Sequence, residues 1–213
     1  MQRTRIKICG LTRPEDAATA VAAGADAVGV IFAASRRQVT IEQAVEVLAA
    51  VPPPVARVGV FVDADPDFVT EAVERCRLSA VQFSGSESPT ACVASPAPVL
   101  KVIAVGEDFG WSAATPYEGA VSALLLDTYV PGSAGGTART FSWGSIDHLP
   151  DWAPVFVAGG LHPGNVGECI RVLRPFAVDV SSGVEERPAL KDPAKIEAFC
   201  TAVRSVDQEV VRR

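Results

Sequence analysis

The sequence is that of an α/β protein, a single (β/α)8 TIM barrel domain over residues 1–213, with a shortened or irregular helix after the fifth strand. Three observations predict it. Short apolar runs alternate with helical patterns eight times along a chain of 213 residues. The runs are rich in Val, Ile, Leu and Phe without alternation, as parallel strands buried on both faces require. Polar and chemically active residue types stand at the carboxyl ends of these runs, the rim on which barrels carry their sites. On pattern alone, a doubly wound open sheet is the competing arrangement.

The elements follow in order. Arg5–Cys9 is the first strand; Gly10 breaks it, and Thr12, Pro14, Glu15 and Asp16 signal a helix over Pro14–Ala23 that Gly24 ends in the left-handed manner. Ala27–Phe32 is the second strand, followed by a helix over Ile41–Ala50 with Thr40 as its cap. Arg57–Phe61 leads to the helix Pro66–Cys76. Ala80–Phe83 leads to Pro89–Pro98, which has room for only a short helix or a turn. Val99–Ile103 is followed by Trp111–Tyr117, again with room for little, hence the reduced helix at this position. Ala123–Asp127 precedes a long glycine-rich loop, Thr128–Phe141, of the kind that is usually functional in compact domains. Trp143–His148 holds two turns at most. Pro154–Ala158 leads to the helix Asn165–Leu173, and Ala177–Val180 to Pro193–Arg204, with Asp192 as cap.

Composition narrows the function classes. A chain with 48% hydrophobic and 21% charged residues builds one full core and carries no disorder signature. Its net charge of −6, without clustered Lys or Arg, argues against nucleic acid or anionic membrane as the main partner. No stretch approaches the ~18 uninterrupted apolar residues of a membrane span. Arg3, Arg5 and Lys7 are not followed by a signal-peptide core, so a cytoplasmic protein is expected. The five cysteines, Cys9, Cys76, Cys92, Cys169 and Cys200, are odd in number and scattered. They show neither a disulfide framework nor zinc-ligand spacing. Of the two histidines, His148 and His162, nothing places either beside Cys9.

The rim positions are Cys9, Ser35-Arg36-Arg37, Asp63, Gln82 and Ser84, Asp127, Gly159-Gly160, and Asp179 through Ser181-Ser182-Gly183. Gly159-Gly160 and Ser181-Ser182-Gly183 follow strands seven and eight, where glycine turns and a helix N-terminus favour a phosphate; tight turns alone are the plain alternative. Asp127 closes an apolar run and reads either as a partnered structural carboxylate or as a general acid of raised pKa. Cys9 reads as core filler or as reactive thiol. Lys7 lies two residues away on the same side of the strand, where it favours the thiolate unless its charge is held elsewhere. Of Arg36 and Arg37, one belongs to the surface and the other suits a carboxylate-bearing substrate.

These residues carry a resemblance over nearly the whole chain. The stretches KICGLTRPEDA, AGADAVGVIF followed by SRRQV, VGVFVD, VQFSGSE, LLLDTYVPGSAGGTARTFSW, VAGGL-HPGNV and VDVSSGVEERPALKD resemble the phosphoribosylanthranilate isomerase family of tryptophan biosynthesis. The resemblance implies a small barrel with no cofactor and no metal. Its substrate is a phosphosugar with an aromatic carboxylate, and monomer and homodimer both stay open. It implies an Amadori rearrangement with Cys9 as general base and Asp127 as general acid. Arg37 is implied at the anthranilate carboxylate and Asp179 near the sugar hydroxyls, with Gly160, Ser181, Ser182 and Gly183 in the phosphate turns. Three departures bear on substrate and efficiency: Ser84 where the family reads QLHG, Arg36 in place of the proline of SPR, and Ala138 in place of the last glycine of GGTG. Another phosphosugar barrel, a paralogue acting on a related aryl phosphoribosylamine and a phosphate-binding barrel without chemistry are the alternatives. Retention of both Cys9 and Asp127 argues against the last.

Overall fold

The computed structural model describes residues 3–106, 109–128 and 140–211. Eight parallel strands close into a barrel in sequence order: β1 (Arg5–Ile8), β2 (Ala27–Ile31), β3 (Ala56–Phe61), β4 (Ala80–Phe83), β5 (Val99–Val105), β6 (Ala123–Thr128), β7 (Val155–Val157) and β8 (Ala177–Val180). The seam is β1 against β8, in register from Arg5 opposite Ala177 to Ile8 opposite Val180. All eight strands fall where the apolar runs are, and the open sheet is excluded by that seam.

Helices α1 (Pro14–Ala22), α2 (Ile41–Ala49), α3 (Pro66–Cys76), α4 (Pro89–Val93), α5 (Val166–Leu173) and α6 (Pro193–Val211) pack outside. The signals at Gly24, Thr40 and Asp192 act as expected, whereas Thr12 caps nothing: its hydroxyl donates to the Ala189 carbonyl at 2.7 Å, and Arg13 ahead of α1 makes no side-chain cap. Gly24 takes φ +86° after α1. Thr40 forms a reciprocal capping box with Gln43. The Asp192 carboxylate accepts from the backbone N–H groups of Ala194 and Lys195. α6 continues past Arg204, the expected end, because no glycine or proline interrupts its last turns. Among the described residues, β5 is followed by no α-helix but by two single 3-10 turns, Trp111–Ala113 and Thr115–Tyr117, and β6 by another at Trp143–Ser145. The loop turn Gly135-Gly136-Thr137-Ala138, with its departure at Ala138, lies outside the described residues.

The core has two parts. The larger lies between strands and helices and takes the outward residues, such as Ile6, Ile8, Val28 and Val30. A smaller cluster around Leu100, Leu125 and Ala158 fills the inside of the barrel. The two-residue period of β1 therefore sends Ile6 and Ile8 outward and Lys7 and Cys9 inward. One further element stands outside the alternation: an antiparallel hairpin after β8, β9 (Glu185–Arg187) with β10 (Leu190–Lys191). The sequence does not announce it. Its turn closes through Ala189, which takes φ +67° although it is not a glycine.

Candidate active site

A cavity of about 820 Å³ opens at the carboxyl ends of the strands, and Cys9, Arg37, Gln82, Ser84, Asp127, Asp179, Ser181, Ser182 and Glu185 are among its walls. Strands β1, β4, β6 and β8 each aim an inward residue at it, so side chains far apart in sequence meet across the mouth.

Cys9 is 5% exposed, and its backbone N–H donates to the Val180 carbonyl at 2.8 Å, which extends the β1–β8 seam to the thiol itself. The sulfur has room because residue 29 on β2 is glycine. A Cβ there would stand 2.8 Å from Cys9 Sγ and 3.4 Å from Lys7 Nζ. Lys7 is wholly buried. Its ammonium donates to Asp179 Oδ1 at 2.9 Å and to Gln82 Oε1 at 3.0 Å. Gln82 passes the contact on, its Nε2 donating to Ser84 Oγ at 3.1 Å. A buried ammonium persists only when paired in this way. Burial pushes the Cys9 thiol above the ordinary cysteine value, and Lys7 is the strongest influence in the other direction. The lysine thus favours the thiolate, as the strand geometry led one to expect, without overcoming desolvation.

Asp127 lies across the mouth. Burial pushes its carboxyl up from 3.8 to about 6; the negative charge of Asp179 adds to this, and the Thr128 N–H and the Lys7 ammonium oppose it. The Thr128 N–H donates to Asp127 Oδ1 at 2.8 Å. Gly159, at φ +81°, lets the turn after β7 come close, since a Cβ there would stand 3.0 Å from Asp127 Oδ1. One cavity therefore holds a thiol beside an ammonium and a carboxyl that keeps its proton up to about pH 6. The first can accept a proton and the second can donate one.

Arg36 and Arg37 both line the cavity; Arg36 is exposed, and Arg37 is the half-buried member of the pair. One edge of the Arg37 guanidinium is already held by the chain: Nε donates to Glu185 Oε1 at 2.7 Å and Nη2 to Glu185 Oε2 at 2.8 Å. Gly10, at φ +71°, makes space for this arginine, because a Cβ there would stand 2.6 Å from Arg37 Cδ and 2.8 Å from Ser181 Oγ.

The turns after β7 and β8 pack on each other, and a Cβ on Gly183 would run into the Leu161 carbonyl. Gly160, at φ +64°, offers its carbonyl to Asn165 Nδ2 at 3.1 Å just before α5. Ser181 and Ser182 line the cavity. Asp63 is not a wall of it. Asp63 organises the loop after β4 instead, accepting from the Ser86 N–H at 2.6 Å while its own N–H donates to Glu87 Oε1 at 2.9 Å. The residues that sequence reasoning passed over are Gly29, Glu185 and Lys191. Only Gly29 left a signal, a lone glycine inside an apolar strand, which marks a close approach.

The model of the family described as N-(5'phosphoribosyl)anthranilate (PRA) isomerase matches residues 6–202. The chain belongs to that family. Among PRA isomerases, the N-(5'-phosphoribosyl)anthranilate isomerase of Desulforudis audaxviator is 46% identical over 201 residues, covering 94% of this chain and 98% of the relative. The crystal structure of phosphoribosyl anthranilate isomerase from Thermotoga maritima superposes with a TM-score of 0.87 at 39% identity, covering 95% of this chain and 99% of that one. Another phosphoribosyl anthranilate isomerase, crystallised with reduced 1-(o-carboxyphenylamino)-1-deoxyribulose 5-phosphate, reaches 0.83 at 38% identity with the same coverage. Among the described residues of this PRA isomerase family member, no helix is long and apolar enough to cross a membrane.

Proposed function

We propose that this chain, as one barrel domain in the cytoplasm, catalyses the Amadori rearrangement of N-(5-phosphoribosyl)anthranilate to 1-(2-carboxyphenylamino)-1-deoxyribulose 5-phosphate. The observation that carries the reading is the pairing of Cys9 with Asp127 in one cavity, the acid raised to about 6 and the thiol beside Lys7. The Asp127 carboxyl protonates the ring oxygen of the furanose. The bond from that oxygen to carbon 1 breaks as the anilino nitrogen forms a Schiff base with the same carbon. The Cys9 thiolate then takes the proton from carbon 2 and leaves an enolamine. Protonation at carbon 1 and loss of the hydroxyl proton at carbon 2 complete the ketone, so the proton count closes without an oxidant or reductant.

The remaining residues bind, with Arg37, Asp179, Ser181 and Ser182 on the cavity wall and the three glycines in the turns behind it. Arg37 takes the aryl carboxylate, Asp179 faces the sugar hydroxyls, and Gly159, Gly160, Ser181, Ser182 and Gly183 form the phosphate turns. Their place on the last two loops of the barrel, ahead of α5, supports this reading. The test uses the fluorescence of the substrate, generated from anthranilate and phosphoribosyl pyrophosphate by the transferase. Added protein should speed the loss of signal in proportion to its concentration. A rate equal to spontaneous breakdown overturns the reading.

A further inference from the structure

The β9–β10 hairpin contributes two buried ions to the rim, Glu185 and Lys191, which are 7% and 1% exposed. Glu185 takes both bonds of the Arg37 edge, and its Oε1 also accepts from Lys191 Nζ at 3.0 Å. Lys191 Nζ donates in turn to the Ser181 carbonyl at 2.9 Å and lies 3.4 Å from the Ser181 hydroxyl. The result is a chain of contacts, Arg37 to Glu185 to Lys191 to Ser181, whose two ends both line the cavity. Two cations and one anion leave one positive charge for a ligand. Arg37 Nη1 is the guanidinium nitrogen that neither bond to Glu185 uses.

We propose that Glu185 and Lys191 are positioning residues. They hold Arg37 in its binding orientation before the substrate arrives, and they set its distance from the phosphate turn at Ser181. The pocket thereby selects phosphosugars whose aryl group carries a carboxylate. This rests on the reading above in that Arg37 meets the carboxylate and Ser181 the phosphate. An unheld arginine must be ordered at each binding event, whereas here the side chain is fixed by two charge-assisted bonds as the protein folds.

A binding cycle tests the proposal. Calorimetry with reduced 1-(2-carboxyphenylamino)-1-deoxyribulose 5-phosphate, and with the same compound lacking the carboxyl, gives a carboxylate preference for each variant. Glu185→Gln should reduce that preference about tenfold. In an Arg37→Met background the same change should alter binding less than twofold, since Glu185 acts through Arg37. Glu185→Asp, which keeps the charge on a shorter stem, should fall between, and it gives the comparison if the Gln variant does not fold. Equal weakening of both ligands, losses that multiply with Arg37→Met, or no carboxylate preference in the unaltered protein overturns the proposal. Turnover by the unaltered protein is measured separately. Absent turnover with the preference intact refutes the isomerase reading and leaves the positioning role standing.

Discussion

Asp127→Asn should give a protein that is inactive and more stable. The carboxyl sits at about 6 in the folded chain against an ordinary 3.8. At 1.36 kcal/mol per pH unit, that difference amounts to about 3 kcal/mol. The sign follows from which state holds the proton. Below pH 3.8 both folded and unfolded chains are protonated at this residue and it costs nothing. Between 3.8 and about 6 the folded chain keeps a proton that the unfolded chain has released, so stability falls as pH rises, and the loss is complete above about 6. Asparagine is neutral and nearly isosteric, and its Oδ1 still accepts the Thr128 N–H now bonded at 2.8 Å. Urea unfolding of parent and variant should therefore differ by about 0.5 kcal/mol at pH 4, about 1.5 at pH 5 and about 3 at pH 7.5 in favour of the variant. The loss of the general acid should lower kcat by about 10²–10⁴-fold. A stability difference that does not change with pH, or a variant weaker than the parent at pH 7.5, refutes the account of this carboxyl.

Other expectations concern the thiol and its surroundings. Cys9→Ala should lower kcat by about 10²–10⁴-fold with an unchanged circular dichroism spectrum; near-full activity would remove the base assignment. Gly29→Ala places a Cβ 2.8 Å from the Cys9 sulfur and should reduce kcat at least about tenfold with little change in KM, at a cost of about 1–3 kcal/mol in stability. The competent form pairs protonated Asp127 with ionised Cys9, and its fraction is constant between the two pKa values. The kcat profile should accordingly climb through about pH 6 and then stay level until the thiol titrates. A tenfold fall per pH unit directly above 6 would show that Cys9 is not the partner base.

The barrel was legible because its evidence is local. Each strand is a short apolar run, and the caps at Thr40 and Asp192 act within three residues of themselves. That Cys9, Asp127 and Ser181 would meet at one cavity was legible because barrel strand ends converge on one rim, so position alone nominated them. Lys7 was half legible: the strand period placed it beside Cys9, but its partners Gln82 and Asp179 come from strands 75 and 172 residues away. Glu185 was not legible at all. Glu185-Glu186-Arg187 reads as a solvated polar loop, and only the turn through Ala189 brings β10 back so that Lys191 can bury the first of the two glutamates. Asp63 shows the converse, a rim-positioned carboxylate that the neighbouring loop employs for its own hydrogen bonds.

The seam between β1 and β8 bears on when the enzyme comes into being. Cys9 and Asp127 are both made by residue 127, before the strand that closes the barrel. Asp179, which holds Lys7 beside the thiol at 2.9 Å from its Oδ1, comes more than 50 residues later on the strand that closes the barrel. The Val180 carbonyl that receives the Cys9 N–H, the Ser181 turn and the hairpin that grips Arg37 all come with or after that strand. A nascent chain of 150 residues thus carries Cys9, Asp127 and Arg37 without the Asp179 contact of Lys7 and without the Glu185 grip on Arg37. The eighth barrel strand and the hairpin that follows it are what gather these scattered side chains at one rim.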